Sequence, residues 1–170
     1  QLTLSTKILL DFISELDLQK KTFLELGCGC GIISLFASKK GAEVTATDIN
    51  TKALEYLGKA ALTNKLDVSC LYSDLFENLE GQQFDFIIIN PPYYPKYPKN
   101  IKEQAWFCGE DFEYFKGLFF QLAAFLSDNN KTYMILSEDC KIKTIASIAA
   151  KNNFSLEPVF NIKKIFTKRL

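Results

Sequence analysis

The chain has 170 residues, enough for one domain with a full core. Apolar residues make up 48% and aromatic ones 14%, a globular composition that excludes a disordered chain. Twenty basic residues balance twenty acidic ones, so no global field draws the chain to nucleic acid or an anionic membrane.

Five Cys and no His argue against zinc, because Cys28-x-Cys30, Cys70, Cys108 and Cys140 match no common ligand spacing. Scattered Cys of this kind read as buried small hydrophobes in a reduced, cytoplasmic protein. Neither a membrane-span-length apolar run nor a signal peptide is visible, so the expectation is no membrane partner and no metal. The chain begins at Gln1 without Met, which reads as part of a longer protein.

In chain order, apolar residues Leu4, Ile8, Leu9, Phe12, Ile13 and Leu16 recur at helical spacing, with Thr3 or Ser5 as cap. Thr22–Leu26 reads as a first strand. Gly27-Cys28-Gly29-Cys30-Gly31 follows, and then an apolar helix from Ile32 to Ser38. Strand, glycine-rich turn and helix in succession let a ligand approach the main chain, and unpaired helix amides favour a negative group. Glu43–Asp48 is a second strand ending in an acid, about twenty residues beyond the glycines, where a carboxylate can accept from both ribose hydroxyls of a nucleoside. The competing role for Asp48 is to cap the next helix, Thr51 to Thr63. Val68–Tyr72 is a short third strand, and Asp74 stands just beyond it, either as a turn residue or as an acceptor for an adenine amino group with Leu75 packing the ring.

Phe84–Ile89 is continuously apolar, as a doubly covered parallel strand should be. Pro91 and Pro92 end it, since neither can donate to a ladder. Asn90 and Tyr93 are thereby held on a stiff turn at a strand's carboxyl end, where open α/β sheets bind ligands. Residues 94–110 form a loop too long for a simple connector. In it Lys96, Lys99 and Lys102 interleave with Tyr94 and Tyr97, a mixture that could touch nucleic acid or be a solvated loop with anchoring rings. A helix over Asp111–Leu126, a strand over Thr132–Leu136, a helix over Cys140–Ala150 and a sixth strand over Phe154–Ile162 complete the reading. The basic end, Lys163–Leu170, stops where a further strand is expected.

Strand and helix alternate throughout, which predicts an α/β fold: a Rossmann-like, doubly wound, mostly parallel sheet with helices on both faces and right-handed crossovers. The turns at Gly27–Gly31, Asp48, Asp74 and Asn90 should then gather at one edge. Together, Glu25 to Gly31, Asp48, Asp74 and Asn90-Pro91-Pro92-Tyr93 resemble the class I S-adenosylmethionine-dependent methyltransferases over nearly the whole chain. The NPPY turn resembles the branch that methylates nitrogen conjugated to a planar group. The chain is most similar there to the HemK-type protein-glutamine N-methyltransferases, in which a Trp-x-x-Gly-x-Asp-like segment also follows; here it is Trp106 to Asp111. The family's usual further Gly falls near Phe112 and is missing.

The resemblance implies a division of labour. Gly27, Gly29 and Gly31, with Glu25, would take the methionine end of S-adenosyl-L-methionine, Asp48 the ribose, and Asp74 and Leu75 the adenine, while Cys28 and Ile49 would also bind the cofactor. Asn90 would border both ligands. It and the Pro91 carbonyl would accept from the substrate NH2, on a turn completed by Pro92, and Tyr93 would stack on the planar group. It further implies one methyltransferase domain over residues 1–170, truncated at its C-terminus, acting on a protein glutamine such as one in a release factor. The alternatives are a nucleic-acid base N-methyltransferase and a non-catalytic cofactor-binding partner subunit. A nicotinamide-dependent oxidoreductase is disfavoured, because Gly27-x-Gly29-x-Gly31 departs from GxGxxG and NPPY is left unexplained.

Overall fold

The computed structural model describes residues 3–127 and 129–159. Five parallel strands form one sheet in the order β3-β2-β1-β4-β5. They are β1 (Thr22–Leu26), β2 (Glu43–Asp48), β3 (Val68–Tyr72), β4 (Phe86–Ile89) and β5 (Lys131–Met134). The helices are α1 (Leu4–Ser14), α2 (Ile32–Lys39), α3 (Thr51–Thr63), α4 (Glu113–Leu122) and α5 (Ile142–Lys151).

Alternation along the strands divides the core. Leu24, Leu26, Ile87 and Ile89 pack with α4 and α5 through Phe115, Leu118, Phe119, Leu122, Ile145 and Ile148. Phe23, Val44, Phe86 and Ile88 face the other way, against Leu9 and Ile13 of α1 and Ile33 and Ala37 of α2. Leu54 and Leu57 of α3 close over Cys28 and Ala46. Helices on both faces explain why all four residues of β4 are buried and why it reads as unbroken apolar sequence.

Local chemistry sets the ends. Thr3 Oγ1 accepts from Thr6 N at 3.2 Å and caps α1. Asn50 caps α3 by accepting from Lys52 N at 3.2 Å. Strand β4 starts two residues later than the apolar run suggests, because Asp85 serves as a clasp. Its Oδ2 accepts from Thr22 N at 2.9 Å and from Thr22 Oγ1 at 3.2 Å, while its own N–H donates to Thr22 Oγ1 at 2.8 Å. The expected helix over Asp111–Leu126 is shorter, running Glu113–Leu122 before a 3-10 turn at Ala123–Phe125.

Phe112 precedes α4 with φ 60° and ψ 37°, a left-handed conformation that glycine takes at little cost. The glycine expected near this position is therefore replaced by a residue that bears backbone strain, and the compensation is burial: Phe112 is only 7% exposed. Of the expected sixth strand, residues 154–159 are not strand, and the remainder lies outside the described residues, as does the basic end.

Candidate active site

The strand order places the chain reversal between β1 and β4, so the turns after these two strands border the crevice where doubly wound sheets take ligands. Leu26 is in register with Ile89, which sets Gly27 and Asn90 side by side, each one residue beyond the paired ends. Leu26 is also opposite Thr47, and Asp48 opposite Tyr72, so Asp48 and then Asp74 continue the same edge. Parallel pairing thus brings the four predicted turns to one rim.

Direct bonds knit the glycine turn to the end of β2. Gly29 N donates to Asp48 Oδ2 at 2.7 Å, Asn50 N to Asp48 Oδ1 at 2.8 Å, and Cys28 N to Thr47 O at 2.8 Å. Asp48 is half-buried and keeps acceptor capacity on both oxygens, since a carboxylate offers about four lone-pair sites. Its sequence-level alternative, capping α3, is filled by Asn50 instead.

Gly27 and Gly29 have φ 73° and 50°, are exposed, and would direct a Cβ into open space. Gly31, with φ 69°, has a different job: a Cβ there would stand 2.5 Å from Leu57 Cδ1, so this glycine lets α2 and α3 close together. The Cys28 side chain is buried in the α3 cluster, and burial drives its thiol far above the ordinary range, with the carboxyls of Glu25 and Asp48 adding to it. Cys28 can therefore offer a ligand its backbone only. Ile49 is half-buried in the turn after β2.

Glu25 lies under this turn, 5% exposed. Its Oε2 accepts from Ser34 N at 2.8 Å and from Ser34 Oγ. The reason is local: the N-cap of α2 is Gly31, which has no side chain to cap it, so β1 supplies the acceptor for the third helical amide. Burial raises the Glu25 pKa to about 8, against the lowering effect of the Ser34 bonds. Ser34 was not singled out by the sequence; the apolar helix pattern hides it.

Beyond β3, Ser73 Oγ donates to Leu75 O at 2.9 Å and accepts from Asn78 N at 3.1 Å, shaping a tight turn. It leaves Asp74 exposed and Leu75 half-buried at φ 50°, a strained backbone of the kind ligand turns retain. In the turn after β4, Pro91 is buried, whereas Asn90, Pro92 and Tyr93 are half-buried. The Tyr93 ring lies 4.9 Å from that of Tyr94, and burial raises its phenol, with Tyr94, Cys140 and Asp139 adding. The β5–α5 connection thus borders this turn.

The long loop is closed by main-chain bonds. Tyr94 N donates to Trp106 O at 3.1 Å, Cys108 N to Tyr94 O at 3.0 Å, and Gly109 N to Lys96 O at 3.1 Å. Lys96 Nζ stands 4.8 Å from the centre of the Phe107 ring. Tyr97 and Trp106 in this loop are exposed.

Hollows of about 330 Å³ (Phe76, Glu80, Gln83, Phe125) and about 600 Å³ (Thr22, Glu43, Thr45, Asp67) include no candidate residue. Among the described residues there is no metal-ligand cluster, and no helix is long and apolar enough to cross a membrane.

The glycine turn, two strand-end acids and the Asn-Pro-Pro-Tyr turn thus share one rim of a doubly wound parallel sheet. The methyltransferase small domain family matches residues 1–105, and the chain belongs to that family. It is 44% identical over 80 residues to a Methanocaldococcus jannaschii protein named "Putative protein N5-glutamine methyltransferase". It is 40% identical over 96 residues to the ribosomal RNA small subunit methyltransferase C of Mannheimia succiniciproducens. These alignments cover 46% and 55% of this chain, and only 40% and 28% of the two relatives. A methyltransferase from Pyrococcus furiosus has the same fold, with TM-score 0.71 and 22% identity over 95% of this chain and 78% of its own. So does a T. thermophilus 16S rRNA methyltransferase in complex with AdoMet and guanosine, with TM-score 0.68 and 21% identity over 89% of this chain and 38% of its own.

Proposed function

We propose that this chain is the catalytic domain of an S-adenosyl-L-methionine-dependent N-methyltransferase acting on the side-chain amide of a protein glutamine. The observation that carries the reading is the register of Leu26 with Ile89, which sets the glycine turn and Asn90 side by side. The residues fit the cofactor: exposed left-handed glycines for close approach, Asp48 with unused lone pairs, and Glu25 beneath the turn for a ligand ammonium. When bound, the cofactor supplies an electrophilic methyl on a sulfonium.

An amide nitrogen is a poor nucleophile, because its lone pair is delocalised into the carbonyl. Asn90 Oδ1 and the Pro91 carbonyl would accept its two hydrogens, turn the lone pair out of conjugation and stabilise positive charge as it grows on nitrogen. The Asn90 side chain has no hydrogen-bond partner among the described residues, so its carbonyl is available. Tyr93 would cover the planar group. No base is needed before transfer, because alkylation makes the nitrogen acidic. Protein glutamine is favoured by the M. jannaschii relative's name and by the chain's zero net charge.

The test is transfer of labelled methyl from cofactor to fractionated protein and RNA. Label in protein that survives nuclease and maps to glutamine is expected. Asn90→Ala should lower turnover by about 10²–10³ while S-adenosylhomocysteine still binds. Label lost on nuclease treatment would instead support a base N-methyltransferase. Unchanged turnover in Asn90→Ala would remove Asn90 from catalysis.

A further inference from the structure

Helix α4 is fastened along one stripe to the turn that follows β3. Gln121 Oε1 accepts from Phe76 N at 3.0 Å. A Cβ on Gly117 would stand 3.0 Å from Leu75 Cδ1. Tyr114 lies three residues before Gly117 and seven before Gln121, hence on the same stripe and nearer the helix N-terminus. The chain enters α4 from the carboxyl end of β4 through the 94–110 loop, and Tyr114 N donates to Cys108 O at 3.0 Å within that entry. Helical side chains lean toward the N-terminus. Tyr114 is therefore carried to the ligand rim, level with Asp74, the residue before Leu75.

The surroundings of the phenol agree. Burial raises it strongly, and the carboxylates of Asp74 and then Asp48 raise it further. The two acids on the nucleoside side of the rim thus act on one hydroxyl. The ring meets Phe115 edge-on at 5.4 Å and packs on the main core, yet the residue keeps partial accessibility. A side chain enclosed by protein and still accessible lines a cleft. Its hydroxyl has no hydrogen-bond partner among the described residues.

We propose that Tyr114 is a cofactor-binding residue: its ring walls the adenosine end of the cleft beside Leu75, and its hydroxyl donates a hydrogen bond to the adenosine moiety. The assignment rests on the S-adenosylmethionine reading of the site. The phenol stays protonated at neutral pH, so it acts as a donor where Asp48 and Asp74 can only accept. No motif in the sequence marks it, because Tyr114 belongs to an aromatic run that reads as core.

Calorimetry of S-adenosylhomocysteine and of 5′-methylthioadenosine, which keeps the adenosine and lacks the amino acid, tests it on wild type, Tyr114→Phe and Tyr114→Ala. Tyr114→Phe should weaken both ligands equally, by about tenfold, the worth of one hydrogen bond. Tyr114→Ala should weaken both further; if it does not fold, Tyr114→Phe carries the test. A tyrosine difference band in the near ultraviolet should appear on binding in wild type and vanish in Tyr114→Phe. Affinities within twofold of wild type in Tyr114→Phe would overturn the assignment, as would a loss confined to S-adenosylhomocysteine. Failure of wild type to bind either ligand would overturn the reading of the whole site instead.

Discussion

Replacing Gly31 by Ala separates two reasons for having a glycine in this turn. All three glycines of the turn have positive φ, so an Ala at any of them carries the left-handed cost, about 1–2 kcal/mol. At Gly27 nothing else follows, since a Cβ would meet nothing within 4 Å. At Gly31 the new methyl would lie 2.5, 2.7 and 2.8 Å from Leu57 Cδ1, Cδ2 and Cγ, where carbon contacts prefer about 3.5–4.0 Å. Leu57 is 1% exposed and cannot swing into solvent, so α3 must shift or rotamers must strain. Overpacking of this kind adds about 1–3 kcal/mol. Gly31→Ala should therefore lose about 2–5 kcal/mol and Gly27→Ala about 1–2. Equilibrium urea unfolding followed by far-ultraviolet circular dichroism measures both. Leu57→Ala alone should cost about 2–5 kcal/mol, but in the Gly31→Ala background the two losses should fall short of their sum by about 1–3 kcal/mol, because the clash is gone. If Gly31→Ala matches Gly27→Ala within about 0.5 kcal/mol, or the double mutant is additive, the packing argument is wrong.

Glu25 predicts a pH dependence. Its folded pKa is raised to about 8 from 4.5, so the folded state holds a proton that the unfolded chain has released. The stabilisation is complete below about pH 4.5 and is lost as pH rises through 8. Glu25→Gln keeps an acceptor for Ser34 and should flatten that decline, seen as a smaller fall in melting temperature between pH 5 and 8.5 than in wild type. A ligand ammonium beside Glu25 would favour its ionised form, so binding at pH 7 should release protons and the calorimetric enthalpy should vary with the buffer. Asp85→Ala removes the clasp that joins β1 to β4 and should cost about 1–3 kcal/mol in urea unfolding, with Asp85→Asn intermediate. Thr47→Val should stabilise by about 1 kcal/mol, because Thr47 Oγ1 is buried without a partner among the described residues and Val keeps the shape; a loss of stability would reveal a bond to that hydroxyl.

Much of the fold was legible because each signal is local. Strands β1, β2 and β3 and helix α3 coincide with their predicted ranges, because β-branched and aromatic runs broken by Gly or Asp define strands; the cap of α3 is Asn50, not the Asp48 that the sequence suggested. Predictions failed where a distant partner overrides local preference. Asp85 leaves β4 because Thr22, sixty-three residues away, takes its side chain. Phe112 adopts a glycine's backbone because the core under α4 holds its ring.

The candidate site divides along the same line. The sequence by itself determined which chemistry is present: flexible glycines, an acid after β2, another after β3, and an amide stiffened by two prolines. Those are properties of residue type and spacing. Their convergence depends on parallel register, which sets Gly27 beside both Asn90 and Asp48, and on the bond from Gly29 N to Asp48 Oδ2. Only the tertiary structure assigns Glu25 to the start of α2 and brings Tyr114 to the rim, since both results depend on how helices pack against the sheet. A side chain on an amphipathic helix reads as core in one dimension. Whether it lines a ligand cleft is decided by the edge of the sheet against which its helix packs.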